Sequence, residues 1–234
     1  MFLEKIGIIG ALDAEIDILL SSMKNKKEIK IGRTIFYEGQ LSEKNVVIFK
    51  CGVGKVNAAI GANTAILKFN VSKIIFTGIA GAIDNSLNIL DLVISTDLVQ
   101  HDFDLTGFGC PLGLIDGEKS IKFKADEKLV TTAKNSAIKI LGKNKVFLGT
   151  IATGDQFVAN KKQVNFIGET FGAKATEMEG AAVAQVSLNY NIPFVVLRAM
   201  SDKADGSAHM DYNEFKPVAA DHSAKIVIDM LKHI

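Results

Sequence analysis

The chain has 234 residues, of which 48% are hydrophobic, and its 27 basic and 26 acidic residues give a formal net charge of +1. This length and apolar content suffice for one large core, and the balanced charge lacks the basic footprint of a nucleic-acid or polybasic membrane surface. We therefore expect a small-molecule ligand and neither a nucleic-acid nor a membrane partner.

Short β-branched runs alternate with longer helical patterns along the chain, which is typical of an α/β fold. The predicted strands are Lys5 to Gly10, a hairpin of Thr34 to Leu41 and Asn45 to Lys50, Lys73 to Gly78, Asp91 to Val99, Lys145 to Thr153 and Pro193 to Met200. The predicted helices are Asp13 to Lys24, Lys55 to Phe69, Asp126 to Leu141, Lys161 to Phe171, Gly180 to Asn191 and a closing amphipathic helix from Asn213 to Ile234. Because no linker, repeat or low-complexity tract interrupts them, residues 1–234 are expected to form one domain around a mixed central sheet.

The cysteines and the N-terminal residues bear on location. Cys51 and Cys110 are too few for a disulfide framework and lack C-x-x-C spacing, which favours a reducing compartment and argues against a zinc site. The start lacks the basic segment and long apolar run of a secretory signal, and no stretch reaches the length of a membrane span. These features predict a cytoplasmic protein.

Small residues and acids follow several predicted strands, where α/β sheets bind their ligands. These segments are Ala11 to Glu15, Cys51 to Lys55, Gly78 to Ala82, Thr153 to Phe157 and Ser201 to Asp202, and the stretch Ala175 to Ala182 adds Glu177 and Glu179. Small residues let a ligand approach the backbone, and acids can exchange protons with it. The pattern predicts a binding site with acid–base chemistry.

Most of these features also have a structural interpretation. Gly52-Val53-Gly54 is a weak motif that fits a tight turn into a helix, and Asp13 and Glu15 could favour the positive first turn of the helix they open. His101 to Asp104 resembles metal ligands in composition, but its spacing favours a polar loop, so no metal is predicted. Asp202 could cap a turn. Arg198 is harder to explain by packing, because a guanidinium within an apolar strand needs an acidic partner.

Taken in order, the motifs resemble those of the 5′-methylthioadenosine/S-adenosylhomocysteine nucleosidases, in the nucleoside phosphorylase/hydrolase superfamily. The similarity covers nearly the whole chain, and the motifs are weak singly but specific in this order and spacing. Its carriers are Ile6 to Ala11 with Glu15, Gly52 to Val56, Thr77 to Gly81, His101-Asp102 with Phe108-Gly109, Gly154 to Phe157, Thr176 to Glu179, Arg198 to Asp202 and Tyr212 to Phe215. The resemblance implies a single-domain, three-layer fold in which helices flank a mixed sheet. It also implies hydrolysis of an N-glycosidic bond without a cofactor.

The resemblance further implies a role for each acid, because N-glycosidic cleavage passes through a cation-like ribosyl transition state. Asp202, helped by Ser201, would protonate N7 of the leaving purine, although an aspartate is a poor acid at neutral pH unless its site favours the protonated form. Glu15 would deprotonate the attacking water, which Arg198 would help to hold. Glu179 would accept hydrogen bonds from the ribose hydroxyls.

The same resemblance assigns the contacts with the rest of the substrate. Phe157 would stack on the purine, the backbone of Val158 would meet its edge, Met178 would lie against the sugar, and Ala80 and Gly81 would allow close approach. Leu12, Val53, Leu105, Phe108 and Tyr212 would line the pocket for the 5′-thioether group. Ile79 and Leu12 depart from the serine and methionine common at these positions, which puts substrate preference in more doubt than reaction type.

Several alternatives remain open from sequence. A purine nucleoside phosphorylase on the same scaffold is the nearest, although the chain has only two arginines, Arg33 and Arg198, for clamping phosphate. A futalosine-type nucleosidase would share the fold, and a nucleoside sensor would not need three acids. A dinucleotide oxidoreductase would need the G-x-G-x-x-G motif that the first strand lacks. By analogy we expect a homodimer in which the Phe108 to Ile115 loop of one copy covers the 5′ end of the other's site.

Overall fold

The computed structural model describes residues 4–204 and 208–234, with the backbone alone for 208–213. The strands are β1 Lys5–Gly10, β2 Lys24–Ile31, β3 Thr34–Leu41, β4 Lys44–Lys50, β5 Lys73–Ala82, β6 Leu92–Gln100, β7 Phe123–Lys124, β8 Val146–Thr153, β9 Ala173–Glu177 and β10 Phe194–Asp202. The helices are α1 Asp13–Ser21, α2 Lys55–Phe69, α3 Glu127–Leu141, α4 Lys161–Phe171, α5 Gly180–Asn189 and α6 Ala208–Met230. Short 3₁₀ turns occupy Thr106–Phe108, Lys143–Lys145 and Leu231–His233.

Most predicted elements are present, with strands β1 and β3 and helices α2 and α4 at their predicted bounds. The helix predicted over Asp13 to Lys24 was too long, because it ends at Ser21 and Lys24 already begins β2. Three strands were missed: β2, β7 and β9. Strand β2 pairs only with β3 among the described strands, and its lysine-rich sequence carries apolar alternation only at its end, at Ile29 and Ile31. Exposed edge strands are often protected by lysine in this way, and that protection removes the pattern by which strands are predicted.

The ten strands of the described residues belong to one mixed sheet, which confirms the predicted α/β class. Strand β5 is its centre, because it pairs parallel with β1 and β10 and antiparallel with β9. Strand β10 continues to β6, β6 to β8 and β8 to β9, so these five strands close into a ring. Strands β4, β3 and β2 extend the sheet from β1, with the predicted hairpin between β3 and β4.

The core lies where helices cover the sheet. Ile8 pairs with Ile48 on one neighbouring strand and with Ile75 on the other, and all three side chains are fully buried. Helix α6 packs against β5, β10, α1 and α3, whereas α2 packs against α5. Parallel strands covered in this way are continuously apolar, as the sequences of β1, β4 and β5 are. None of the described helices is long and apolar enough to cross a membrane.

Candidate active site

A cavity of about 360 Å³ lies at the carboxyl ends of the parallel strands β1, β5 and β10, where strand β9 crosses the end of β5. Eleven of the predicted site residues line it: Leu12, Glu15, Val53, Ala80, Gly81, Phe157, Val158, Met178, Glu179, Ser201 and Asp202. Five lining residues were not assigned a substrate contact from sequence: Ala11, Ile79, Gln156, Thr176 and Glu177. The small residues and acids that follow the predicted strands therefore lie together around one cavity.

Asp202 forms one end of the cavity and is held by its neighbours. Its side chain is buried, Ser201 Oγ donates to Oδ2 at 2.8 Å, and the Ala204 N–H donates to Oδ1 at 2.7 Å. A Cβ atom on Gly81 would come within 2.9 Å of Asp202 Oδ1. Only glycine at position 81 therefore leaves room for the Asp202 carboxylate in this part of the cavity wall.

Glu15 has both carboxylate oxygens bound by backbone donors. The N–H groups of Ala11 and Leu12 donate to Oε2 at 2.6 and 3.0 Å, and the Ile79 N–H donates to Oε1 at 3.0 Å. Burial raises the pKa of Glu15 despite the opposing effects of Arg198 and of these hydrogen bonds. Asp13, two residues earlier, is instead exposed and paired with Lys50, so only Glu15 of this pair faces the site.

Beneath the cavity, Arg198 is fully buried and paired with acids, as its position within an apolar strand predicted. Its Nη2 donates to Glu177 Oε2, and Glu179 Oε2 lies 3.6 Å away. The guanidinium also lies 4.1 Å from the centre of the Phe76 ring. A side chain at Gly78 would collide with the guanidinium and with Glu15. Arg198 thus supports the cavity from below and is absent from its wall.

Glu177 connects this ion pair to the surrounding backbone. Its carboxylate accepts hydrogen bonds from Thr153 Oγ1 and from the N–H groups of Glu179 and Gly180, in addition to Arg198. Glu177 belongs to one of the motifs named above, but no role was predicted for it from sequence. The sequence signal that could have identified Glu177 was the need of Arg198 for a buried acidic partner. That partner lies on β9, which was not predicted.

Glu179 is buried between Glu177 and the loop before α2. The Gly54 N–H donates to its Oε1 at 2.9 Å, and Gly54 adopts the left-handed backbone that glycine favours. The Gly52-Val53-Gly54 segment, predicted as a tight turn, is therefore also part of the site. Burial, followed by repulsion from Glu177, raises the pKa of Glu179 to about 8, and Arg198 only partly offsets these effects.

The opposite side of the cavity is apolar and partly open. Phe157 and Val53 line it with 43% and 46% of their surfaces exposed, whereas Val158 is buried. An exposed aromatic ring at a cavity rim is suited to stacking against a flat ligand. Together with Leu12 and Met178, these residues give a site that is charged on one side and apolar on the other.

Two of the predicted substrate contacts, Leu105 and Phe108, do not line the cavity of their own chain, and Phe108 is 87% exposed. Tyr212 lies outside the described side chains. Asp102, from the His101 to Asp104 loop, pairs with Lys55 at 2.7 Å and accepts from the Asp155 N–H, which fits the polar-loop interpretation. Within residues 4–204 and 214–234, no group of three His, Cys, Asp or Glu side chains could hold a metal ion.

Comparison with known proteins places this site in a family. The model of the phosphorylase superfamily matches residues 5–232. A 5′-methylthioadenosine/S-adenosylhomocysteine nucleosidase of Actinobacillus succinogenes is 41% identical over 231 residues, which cover 98% of this chain and 99% of the relative.

Two solved structures illustrate the similarity in fold. The corresponding nucleosidase of Neisseria meningitidis, in complex with methylthio-immucillin-A, has a TM-score of 0.95 at 38% identity, covering 99% of this chain and all of that one. Futalosine hydrolase of Helicobacter pylori has a TM-score of 0.93 at 37% identity, covering 99% of each chain.

Proposed function

The chain belongs to the 5′-methylthioadenosine/S-adenosylhomocysteine nucleosidases of the phosphorylase superfamily, and we propose that it hydrolyses the N-glycosidic bond of these two nucleosides. The products are adenine and the 5-thioribose derivative. The observation that carries this proposal is the convergence of Glu15, Glu179 and Asp202 on one cavity, with Arg198 buried beneath it.

Asp202 activates the leaving base. It is the acid on the base side of the cavity, and the Ser201 hydroxyl and the Ala204 N–H hold its carboxyl group in place. Donation of its proton to purine N7 neutralises the charge that builds on the base as the glycosidic bond breaks. Gly81 leaves room for the ring beside it, Phe157 stacks on the ring face, and the Val158 backbone meets the ring edge.

Glu15 and Glu179 act on the sugar side. Glu15 takes a proton from the attacking water, because backbone donors fix its position and its raised pKa makes it a stronger base. Arg198 was expected to hold this water, but it does not line the cavity, so it acts on the site through the charges of Glu177 and Glu179 and not by contact with the water. Glu179 accepts hydrogen bonds from the ribose hydroxyls, and Met178 lies against the sugar.

The charge balance of the cavity favours the transition state. Arg198 is committed to Glu177, so Glu15 and Glu179 contribute negative charge without a full counter-charge. The ribosyl group becomes positively charged as the bond breaks, and fixed carboxylates in a dry site stabilise that charge. A cation beside Glu179 also favours its ionised form.

The same charge distribution supports water as the nucleophile in preference to phosphate. Among the described residues, the cavity wall carries neither lysine nor arginine. A phosphate ion would therefore be desolvated beside carboxylates without a cationic partner. Leu12 and Val53 also line the cavity, and their apolar side chains suit the uncharged 5′-thioether group of the substrate.

The direct test is release of adenine from 5′-methylthioadenosine by the purified protein in phosphate-free buffer. We expect turnover without phosphate and no increase when phosphate is added. Turnover that appears only with phosphate would identify a phosphorylase instead. Measuring kcat/KM for 5′-methylthioadenosine, S-adenosylhomocysteine, 5′-deoxyadenosine and a futalosine-type nucleoside ranks the substrates.

The active form is a homodimer in this proposal. Val56, Ile60 and Leu67 lie along one face of α2, each more than half exposed, and Phe108 is almost fully exposed. A second copy covering this face would bring its Leu105 and Phe108 to the open end of the cavity, where the 5′ group lies. Ile60→Lys should yield a monomer in sedimentation experiments, whereas Ile140→Lys, at an exposed position on α3, should not.

The proposed location is the cytoplasm. Both cysteines are free, Cys51 buried and Cys110 partly exposed. Free thiols suit a reducing compartment. Fractionation of the native cell is the corresponding test, and recovery of the activity outside the cytoplasmic fraction would contradict it.

A further inference from the structure

Asp102, in the polar loop that follows β6, joins two segments that are distant in sequence. Its Oδ1 accepts a hydrogen bond from Lys55 Nζ at 2.7 Å, and its Oδ2 accepts one from the Asp155 N–H at 2.8 Å. Lys55 is the first residue of α2, and Asp155 lies in the loop between β8 and α4. The two oxygens of one carboxylate therefore hold the start of α2 and this loop at a fixed separation.

The two segments contribute different walls of the cavity. The turn before α2 forms the sugar wall, where Val53 lines the cavity and the Gly54 N–H donates to Glu179 Oε1 at 2.9 Å. The loop after β8 forms the base wall, where Phe157 and Val158 line the cavity. In the proposed function a nucleoside contacts both walls at once, so their separation decides how well it fits.

The contacts of Asp102 are shielded from solvent and supported by others. The side chains of Asp102 and Lys55 are 14% and 18% exposed. Lys55 Nζ also donates to Gln100 Oε1 at 3.1 Å, and the Lys55 N–H donates to Asp155 Oδ1 at 2.8 Å. Burial raises the pKa of Asp102, but the hydrogen bonds from Lys55 and Asp155 outweigh it and lower that pKa below its ordinary value. Asp102 is therefore charged at neutral pH, and its ion pair is less screened than one on the open surface.

We propose that Asp102 is a positioning residue that fixes the separation of the sugar wall and the base wall. This inference rests on the proposed nucleosidase function. Asp102 does not line the cavity, so it acts through Lys55 and the Asp155 backbone. Walls held in place before binding spare the ligand the cost of ordering them. That advantage is largest for a nucleoside, which contacts both walls, and small for free adenine, which contacts the base wall alone.

The test compares wild type, Asp102→Ala and Lys55→Met, which removes the ammonium group of the same ion pair but keeps an apolar stem. Calorimetry gives the Kd of adenine and of a non-hydrolysable C-nucleoside analogue of 5′-methylthioadenosine. Both variants should weaken the nucleoside analogue about 3- to 10-fold, the equivalent of one hydrogen bond. The Kd of adenine should change less than about 2-fold, because one wall suffices to bind it.

A second lysine–aspartate pair provides the control for a purely structural effect. Asp97, with its side chain 18% exposed, lies 3.1 Å from Lys122 Nζ, accepts from Thr150 Oγ1 at 2.6 Å and is outside the cavity wall. Asp97→Ala should lower the Tm as Asp102→Ala does, but should leave both Kd values unchanged.

The proposal is overturned if Asp102→Ala and Lys55→Met bind both ligands as wild type does, or weaken both ligands by the same factor. Lys55→Met alone decides the question if Asp102→Ala does not fold. Wild-type protein that binds the nucleoside analogue but releases no adenine from 5′-methylthioadenosine would instead refute the proposed hydrolysis.

Discussion

The two halves of the cavity differ in how firmly their walls are held. On the sugar side, backbone N–H groups bind both oxygens of Glu15, and Glu177 is bound by Arg198, Thr153 and two further N–H groups. On the base side, the Ser201 hydroxyl and the Ala204 N–H hold Asp202, but the Phe157 ring is 43% exposed. The sugar side is thus organised by buried hydrogen bonds, whereas the base side combines one held acid with an open aromatic face that a flat ligand can cover. Charge stabilisation needs fixed groups, and recognition needs groups that the ligand can satisfy.

The largest effect is expected from substitution of Asp202, the acid proposed to protonate the leaving base. Asp202→Asn keeps the shape of the side chain but removes its transferable proton, so kcat should fall roughly 10²- to 10⁴-fold. Binding of an adenosine-type inhibitor should persist, because the cavity is retained. Adenine release and inhibitor titration measure the two quantities.

A matched control is available next to the site. Asp13→Asn changes an exposed acid that is paired with Lys50 and lies outside the cavity, so it should retain wild-type kcat. An Asp202→Asn enzyme with near-normal turnover would contradict the assignment of the acid.

The sugar side of the cavity can be disrupted by a substitution in its buried Arg198–Glu177 ion pair. Glu177→Gln leaves the guanidinium of Arg198 buried with a weakened partner, and disruption of a buried pair destabilises a protein by about 3–5 kcal/mol. Urea unfolding should therefore show a lower midpoint with an unchanged slope. Glu43→Gln removes the acid of the exposed Lys24–Glu43 pair and should change the midpoint little. Equal effects of the two substitutions would show that the buried pair is not special.

The raised pKa of Glu179 makes the stability of the ligand-free protein depend on pH. The ordinary glutamate pKa is 4.5 and the native value is about 8, so between these values the folded chain holds a proton that the unfolded chain has released. Stability should fall as pH rises through this window, by on the order of 5 kcal/mol at most in total from this residue, because each unit of pKa difference corresponds to about 1.4 kcal/mol. Glu179→Gln, which mimics the protonated form, should flatten the fall.

Thermal unfolding from about pH 5 to pH 8.5 measures this dependence. The raised pKa of Glu15 acts in the same direction, so a smaller slope should remain in Glu179→Gln. Glu177→Gln removes one of the causes that raise the pKa of Glu179 and should move the window to lower pH. Identical pH profiles for wild type and Glu179→Gln would mean that Glu179 is ionised throughout.

The sequence predicted the cavity well because its residues follow strands with strong apolar patterns. Strands β1 and β10 are buried throughout most of their length, so the residues after them could be placed at one edge of the sheet. The sequence did not separate Asp13 from Glu15, since both open the same helix. They differ because residues two apart on a helix face different directions, and only Glu15 faces the Ile79 N–H.

The missed residues share a different cause. Glu177 and Thr176 lie on β9, which has five residues, Ala173–Glu177, with an alternation too short to identify a strand. Their positions in the cavity wall depend on the pairing of β9 with β5, and the ion pair of Glu177 depends on the buried Arg198 of β10, which are contacts between segments distant in sequence. Leu105 and Phe108 were assigned by resemblance, and a single chain does not bring them to its own cavity.

The smallest expected effect tests whether the base side works through binding alone. Phe157→Leu removes the aromatic face and keeps an apolar side chain, so substrate affinity should fall by about 0.5–1.5 kcal/mol, the usual value of aromatic stacking. Stacking is equally favourable before and during bond cleavage, so KM should rise about 2- to 10-fold while kcat stays constant. Phe166→Leu, at an aromatic residue that is 49% exposed on α4 outside the cavity, provides the control and should change neither constant. A fall in kcat with Phe157→Leu would mean that the ring also positions the base for protonation by Asp202, and the two halves would then share their catalytic role.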